Sequence, residues 1–260
     1  MSAPEGGYAL ITGASRGLGA ALAQALAAEG RSLILTARTA ADLETQQRKL
    51  GRPGVEVQVV AADLAHGGAQ AVLDEVNAHG WAVSLLINNA GVGSLGEFTT
   101  LPVERELEQV RLNLEATVAL THALLRPMRA RHNGAVINVA STAALQPVPY
   151  MATYAATKVF LLHFSLALRE ELRGTGIHVM ALCPGPMRTS FFEATGIAAP
   201  SGLQSAESVA RMALAGLRRR KAMVNCHLRG KVLNPIERLL PRTIVARMAG
   251  QVVRSWRPGR

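Results

Sequence analysis

The stretch Tyr8-Ala-Leu-Ile-Thr12-Gly13-Ala-Ser-Arg-Gly17-Leu-Gly19 decides the fold. A short apolar run enters a cluster of glycines, and a helical pattern with Leu18, Leu22 and Leu26 follows, ending near Gly30. The first part reads as a buried strand and the second as a helix packed on it. Strand, glycines and helix in that order make a phosphate cradle. The glycines allow a tight turn and close backbone approach, and the free amides at the helix N-terminus attract a pyrophosphate. The spacing is GxxxGxG rather than GxGxxG.

Ser32-Leu-Ile-Leu-Thr36 is the next strand and runs into Ala37-Arg38. Dinucleotide sites read the adenosine ribose about twenty residues past the glycines, with an acid for NAD and a cation for the 2′-phosphate of NADP. Arg38 holds that place here, and the nearest following acid, Asp42, already belongs to a helix over about 40–50. Arg16, inside the glycine turn, can clamp the same phosphate with its planar fork. The pattern favours NADP(H) over NAD(H).

The alternation continues. A turn at Gly51–Gly54 leads to Val55–Val60 and Asp63-Leu64, a helix reaches Gly80, and Val83-Ser-Leu-Leu-Ile runs into Asn88-Asn89-Ala90-Gly91. Residues 102–131 read as one long helix containing Asn113. Gly134–Ala140 is a strand, a helix ends near Arg173, and Ile177–Cys183 precedes Pro184-Gly185-Pro186. A helix over Leu203–Arg220 and a last strand at Met223–Cys226 complete the series. Strands alternating with helices, without repeats or a linker, predict an α/β doubly wound parallel sheet of about seven strands with helices on both faces. Residues 1–229 form the expected single domain, and 230–260 a C-terminal helical extension.

Composition narrows the function. The net charge of +10 is unevenly placed: residues 1–217 carry 16 Lys+Arg against 17 Asp+Glu, and 218–260 carry 12 against Glu237 alone. A nearly neutral body argues against nucleic acid as a partner. Cys183 and Cys226 are the only cysteines, so neither a disulfide framework nor a metal-type cluster is expected. A reducing cytoplasm fits this usage. The N-terminus has no signal-peptide pattern, and no run approaches the roughly 18 apolar residues of a membrane span.

Ser141–Lys158 (STAALQPVPYMATYAATK) carries the chemistry. Tyr154 and Lys158 are four apart, which puts them on one face of a helix. A phenol titrates near pH 10 by itself, and an adjacent ammonium favours the phenolate, turning Tyr into a usable general acid/base. Ser141 follows the strand 134–140, so its hydroxyl faces the cleft at the sheet's carboxyl edge. Tyr150 has Tyr154, not Lys, four residues on, and makes no such pair.

These pieces together resemble the short-chain dehydrogenase/reductase family. Thr12-Gly13-xxx-Gly17-x-Gly19, Asp63-Leu64, Asn88-Asn89-Ala90-Gly91, Asn113, Ser141, Tyr154-xxx-Lys158 and Pro184-Gly185 with Thr189 stand in the family's order over about residues 8–192. The resemblance implies a Rossmann-type fold and a hydride-transferring enzyme acting on a carbonyl or alcohol. It implies that Tyr154 donates the proton, Lys158 lowers its pKa and holds the nicotinamide ribose, Ser141 polarises the carbonyl, and Asn113 completes a proton relay. The cofactor-binding set it implies is Gly13, Ser15, Arg16, Gly17, Leu18, Gly19, Arg38, Asp63, Leu64, Asn89, Ala90, Gly91, Tyr154, Lys158, Pro184, Gly185 and Thr189. Similar proteins pair through the helices at about 102–131 and 150–173, so a homodimer or homotetramer is expected.

Ser141, Leu145, Tyr154, Met187, Phe191 and Phe192 are the expected substrate contacts, with Pro147 and Val148 nearby, and they suggest an apolar pocket. In 242–257, Ile244, Val245, Met248, Val252 and Trp256 follow helical spacing, with Arg247, Arg254 and Arg257 on the other side. Such a basic amphipathic helix suits either an anionic membrane surface, through residues 230–257, or packing on the body or another subunit. The expected activity is NADPH-dependent reduction of an apolar ketone or aldehyde. The alternatives are a 3-oxoacyl-thioester reductase and, from another class, a non-catalytic NADP-binding regulator or scaffold.

Overall fold

The structure, a computed structural model, describes residues 6–187, 203–227 and 240–254. Seven parallel strands form one sheet in the order β3-β2-β1-β4-β5-β6-β7. They are β1 Tyr8–Thr12, β2 Leu33–Ala37, β3 Val57–Ala61, β4 Val83–Asn88, β5 Gly134–Val139, β6 Ile177–Cys183 and β7 Met223–Asn225. The chain winds outward from β1 to β3, then restarts at β4 on the other side of β1. The reversal opens a crevice at the carboxyl ends of β1 and β4, where doubly wound sheets bind ligands.

Each strand alternates its side chains between two layers. Ala9, Ile11, Leu33 and Leu35 pack with helices α1 (Gly17–Ala28) and Ala206–Arg218. Leu10, Ile34, Leu86 and Val136 pack on the opposite face, with α3 (Gly68–Ala78) and the helix Ala116–Ala130. Burial on both faces is why β4, β5 and β6 read as continuous apolar runs in the sequence. Helix α2 spans Ala40–Leu50, matching its sequence bounds.

The long helix expected over 102–131 is interrupted. It consists of α4 (Val103–Val110), a π turn at Arg111–Glu115 and α5 (Ala116–Ala130). The widened turn carries Asn113, whose amide accepts from the Val92 N–H (3.0 Å) and donates to the Val92 carbonyl and the Thr157 hydroxyl (both 3.0 Å). Helix α6 (Ala152–Glu171) follows β5, α7 is Ala206–Arg218, and α8 is Arg242–Arg254. A buried polar ladder ties the centre together. Asn88 Nδ2 donates to Asn138 Oδ1 (2.8 Å) and Thr121 Oγ1 (3.0 Å), and Asn138 Nδ2 donates to Ser165 Oγ (2.9 Å).

Helix α8 packs on the body along a different row from the one the spacing suggested. Val245, Ala249 and Val253 are buried, whereas Ile244, Met248 and Val252 are 43%, 53% and 57% exposed. Ala249, small and easily passed over in a search for apolar bulk, lets the helix approach closely. Trp256 and Arg257 lie outside the described residues. No helix among the described residues is long and apolar enough to cross a membrane.

The glycine turn is closed by contacts that exclude a side chain at Gly19. A Cβ there would overlap the Gly13 carbonyl and stand 2.7 Å from Asn89 Nδ2. Gly19→Ala is expected to destabilise the protein by about 1–3 kcal/mol, the usual range for overpacking a tight site. Urea unfolding of the variant against the wild type checks this; an unchanged midpoint would show that the turn has room to spare.

Candidate active site

A cavity of about 1610 Å³ runs along the carboxyl edge of the sheet. At one end lies the turn between β1 and α1. Gly13 and Gly17 adopt φ of +64° and +58°, a region that L side chains rarely occupy. Arg16, the residue before α1, makes no side-chain hydrogen bond to the helix's first amides. A helix N-terminus without a side-chain cap, facing the cavity, is a setting that suits an anion. A Cβ at Gly91 would stand 3.1 Å from Asn113 Oδ1 and 3.3 Å from Lys158 Nζ, so the far wall also brings backbone close to the cavity. These features fit a dinucleotide.

The turn is joined to the end of β4 by a knot of hydrogen bonds. Thr12 Oγ1 accepts from the backbone N–H of Asn89 and of Ala90 (both 2.9 Å), and Asn89 Nδ2 donates to the carbonyls of Thr12 (2.9 Å) and Gly13 (3.2 Å). Asn89 is thus a strut as well as a wall. Asp63 also lines the cavity. Burial pushes its carboxyl up, but hydrogen bonds from His66 and from the Ala65 N–H, together with nearby positive charge, outweigh burial and hold it below its usual value. Arg16 and Arg38 are exposed at the cavity's edge. Arg38 faces Glu108 of α4, 3.9 Å across the groove.

Ser141, Tyr154 and Lys158 meet at the other end. Ser141 stands just past β5, its hydroxyl accepting from the Ala143 N–H (3.1 Å). Helix α6 presents Tyr154 and Lys158 one turn apart, with Lys158 Nζ 5.6 Å from the Tyr154 ring centroid. Lys158 Nζ also donates to the Val139 carbonyl at the end of β5 (2.9 Å). Burial lowers the ammonium to about 8, against an opposing pull from Cys183.

Burial raises the Tyr154 hydroxyl above the ordinary phenol value, and a hydrogen bond with Ser141 pulls it back. The ammonium lies by the ring and is held by Val139, so the serine is the phenol's immediate partner.

Most residues singled out in the sequence line this one cavity, including Ser15, Leu18, Leu64, Ala90, Pro184, Gly185 and Met187. Gly19 lies beneath the turn. Asn113 is fully buried below the floor, its side chain saturated by Val92 and Thr157. Leu145 is partly buried. It closes the short 3₁₀ turn Thr142–Leu145 and packs against the buried cluster that includes Ala140, Leu161 and Cys183. Arg188, Thr189, Phe191 and Phe192 lie outside the described residues.

The structure adds lining residues that sequence reasoning passed over: Gln146, Met151, His227 and the α8 side chains Ala249 and Val253. His227 follows β7 and packs against Gly185, where a Cβ would meet its ring at 3.1 Å. Its place just past a strand's carboxyl end was a usable signal.

Comparison with known proteins agrees with this geometry. The short chain dehydrogenase family model matches residues 7–198. The chain is 29% identical to the ketoacyl reductase HetN of Nostoc sp. (strain PCC 7120) over 97% of its own length and 87% of that protein. Among solved structures, a short-chain dehydrogenase from Sphingobium yanoikuyae in complex with NADPH superposes with a TM-score of 0.82 at 30% identity, covering 89% of this chain and 94% of the other. A short-chain dehydrogenase/reductase from Burkholderia phymatum in complex with NAD gives 0.83 at 25% identity, covering 93% and 98%. The chain belongs to the short-chain dehydrogenase/reductase family of oxidoreductases.

Proposed function

We propose that this protein is an NADPH-dependent reductase of apolar ketones or aldehydes, with Tyr154 as the general acid. The observation that carries this reading is the convergence of Ser141, Tyr154 and Lys158 on the cavity that the glycine turn also lines. The bound dinucleotide supplies the hydride; the chain supplies position, proton and field. Ser141 and Tyr154 hydroxyls hold the substrate oxygen, and Tyr154, kept protonated by its raised pKa, delivers a proton to that oxygen. Lys158, charged below about pH 8, stabilises the phenolate left behind and donates to the cofactor ribose. Asn113 anchors the segment at Val92 and, through Thr157, the helix that bears Tyr154.

Arg16 and Arg38 support a preference for NADP(H). Two exposed guanidinium groups border the cavity's adenosine end, suited to a 2′-phosphate. A second reading, reduction of a 3-oxoacyl thioester, is favoured by the similarity to HetN, which is named a ketoacyl reductase. NADPH oxidation with simple ketones against acyl thioesters separates the two. Exposed Val103, Leu107 and Val110 on α4 and Val159 and Phe160 on α6 support pairing of copies through these helices.

Tyr154→Phe is expected to lower kcat for ketone reduction by about 100- to 10,000-fold while NADPH fluorescence still reports binding. Near-normal turnover would exclude Tyr154 as the acid. The rate of reduction should fall as pH rises through about 8, where Lys158 loses its proton, and this limb should be missing from the residual activity of Lys158→Met. Arg38→Ala should raise KM for NADPH by about tenfold, the scale of one lost charge-assisted contact, and leave KM for NADH nearly unchanged. An equal effect on both cofactors would remove Arg38 as the discriminating group.

A further inference from the structure

Tyr150, four residues before Tyr154, has an unusual setting. Its backbone is in the left-handed region, with φ of +67°, which is costly for an aromatic residue and persists only where surroundings enforce it. Two contacts hold it. Its carbonyl accepts from the Gly96 N–H (2.9 Å), and its hydroxyl accepts from Nε and Nη2 of Arg254 (3.1 and 3.0 Å). Arg254 is the last residue of α8, so the far end of the chain is tied to the segment leading into the Tyr154 helix.

The packing beside this contact turns one face of α8 to the cavity. Val253 packs with Val148, Met151 and Ala155, a cluster against which the Tyr154 ring also lies. Gly250 comes close to Pro149, where a Cβ would stand 3.2 Å from the ring. Docked this way, α8 turns Met248 and Val252 to the cavity, each still more than half exposed. Among the described residues, neither 142–151 nor α8 contributes a charged side chain to the cavity's lining. The arginines of α8 are outside it.

We propose that α8 is a wall of the substrate compartment, with Met248 and Val252 as specificity-determining side chains for the bulky apolar part of the carbonyl substrate. The Tyr150–Arg254 contact is the positioning device that holds the wall against the Tyr154 segment. The inference rests on the carbonyl-reductase reading above and gives that site a substrate class: large, uncharged and apolar on the side away from the cofactor. It also assigns the exposed row of α8 to substrate, not to a lipid surface.

The test compares kcat/KM for benzophenone and for butanone, with NADPH, in the full-length protein. Met248→Ser with Val252→Ser is expected to lower the benzophenone-to-butanone ratio by about tenfold or more, the scale at which apolar pockets discriminate by size. Arg254→Gln and Tyr150→Phe should each raise KM for benzophenone several-fold with a smaller change in kcat, since they loosen the wall and leave the acid in place. An unchanged ratio in the serine variant, with both ketones reduced by the wild type, overturns the inference and leaves the reductase reading intact. Wild-type protein that binds NADPH and reduces neither ketone overturns both. Loss of liposome binding in the serine variant with no change in the ratio would assign the exposed row to a membrane and overturn the inference.

Discussion

The site depends on the hydrogen bonds around Thr12. One side-chain oxygen accepts two consecutive backbone amides from the end of β4, and the neighbouring Asn89 amide returns two bonds to the carbonyls of β1 and the glycine turn. Parallel strands leave their last carbonyls and amides unpaired where they diverge, and buried unpaired groups are costly. Here those groups are paired across the point where the strand order reverses. The crevice is therefore open to a ligand and still rigid at its edges, which lets the glycine turn, the floor and Ser141 keep fixed distances.

A second constraint comes from below. Asn113 spans Val92 and Thr157, and Thr157 in turn donates to the Tyr154 carbonyl (2.7 Å). The helix carrying Tyr154 and Lys158 is thereby tied to the loop after β4. On the other side, the Lys158 ammonium is tied to the last carbonyl of β5. A charged group held in so dry a place loses part of its preference for the proton, which is why its pKa falls to about 8. An ammonium left in water would be charged but only weakly coupled to a neighbouring phenol.

Much of the fold was legible because its signals are local. Apolar runs buried on both faces, helical spacing and glycines at the first turn all appear within a few residues of one another. The strands, α2, the cradle and the Tyr154–Lys158 pair could be placed on that basis. The π turn at Arg111–Glu115 could not, since it is set where Asn113 meets Val92, 21 residues away in the chain. Leu145 shows the same limit: a short 3₁₀ turn gives no periodic signal, so what its side chain meets is set by the tertiary packing. In α8, spacing identified an amphipathic helix but not the row that docks, because Ala249 contributes fit where a hydrophobicity count looks for bulk.

By itself, the sequence determined the doubly wound parallel sheet, the glycine turn between its first strand and helix, and the identity of the residues with usable chemistry, since each follows from residue type at short range. Tertiary structure alone decided which groups act on one another. Tyr150, unremarkable in its local context, meets Arg254 from 104 residues away, and Arg38 meets Glu108 across the groove. Ser141, 13 residues upstream, meets the Tyr154 hydroxyl in a hydrogen bond. Distances of a few ångströms between remote parts of a chain fix pKa values and cavity walls, and no local pattern encodes those distances.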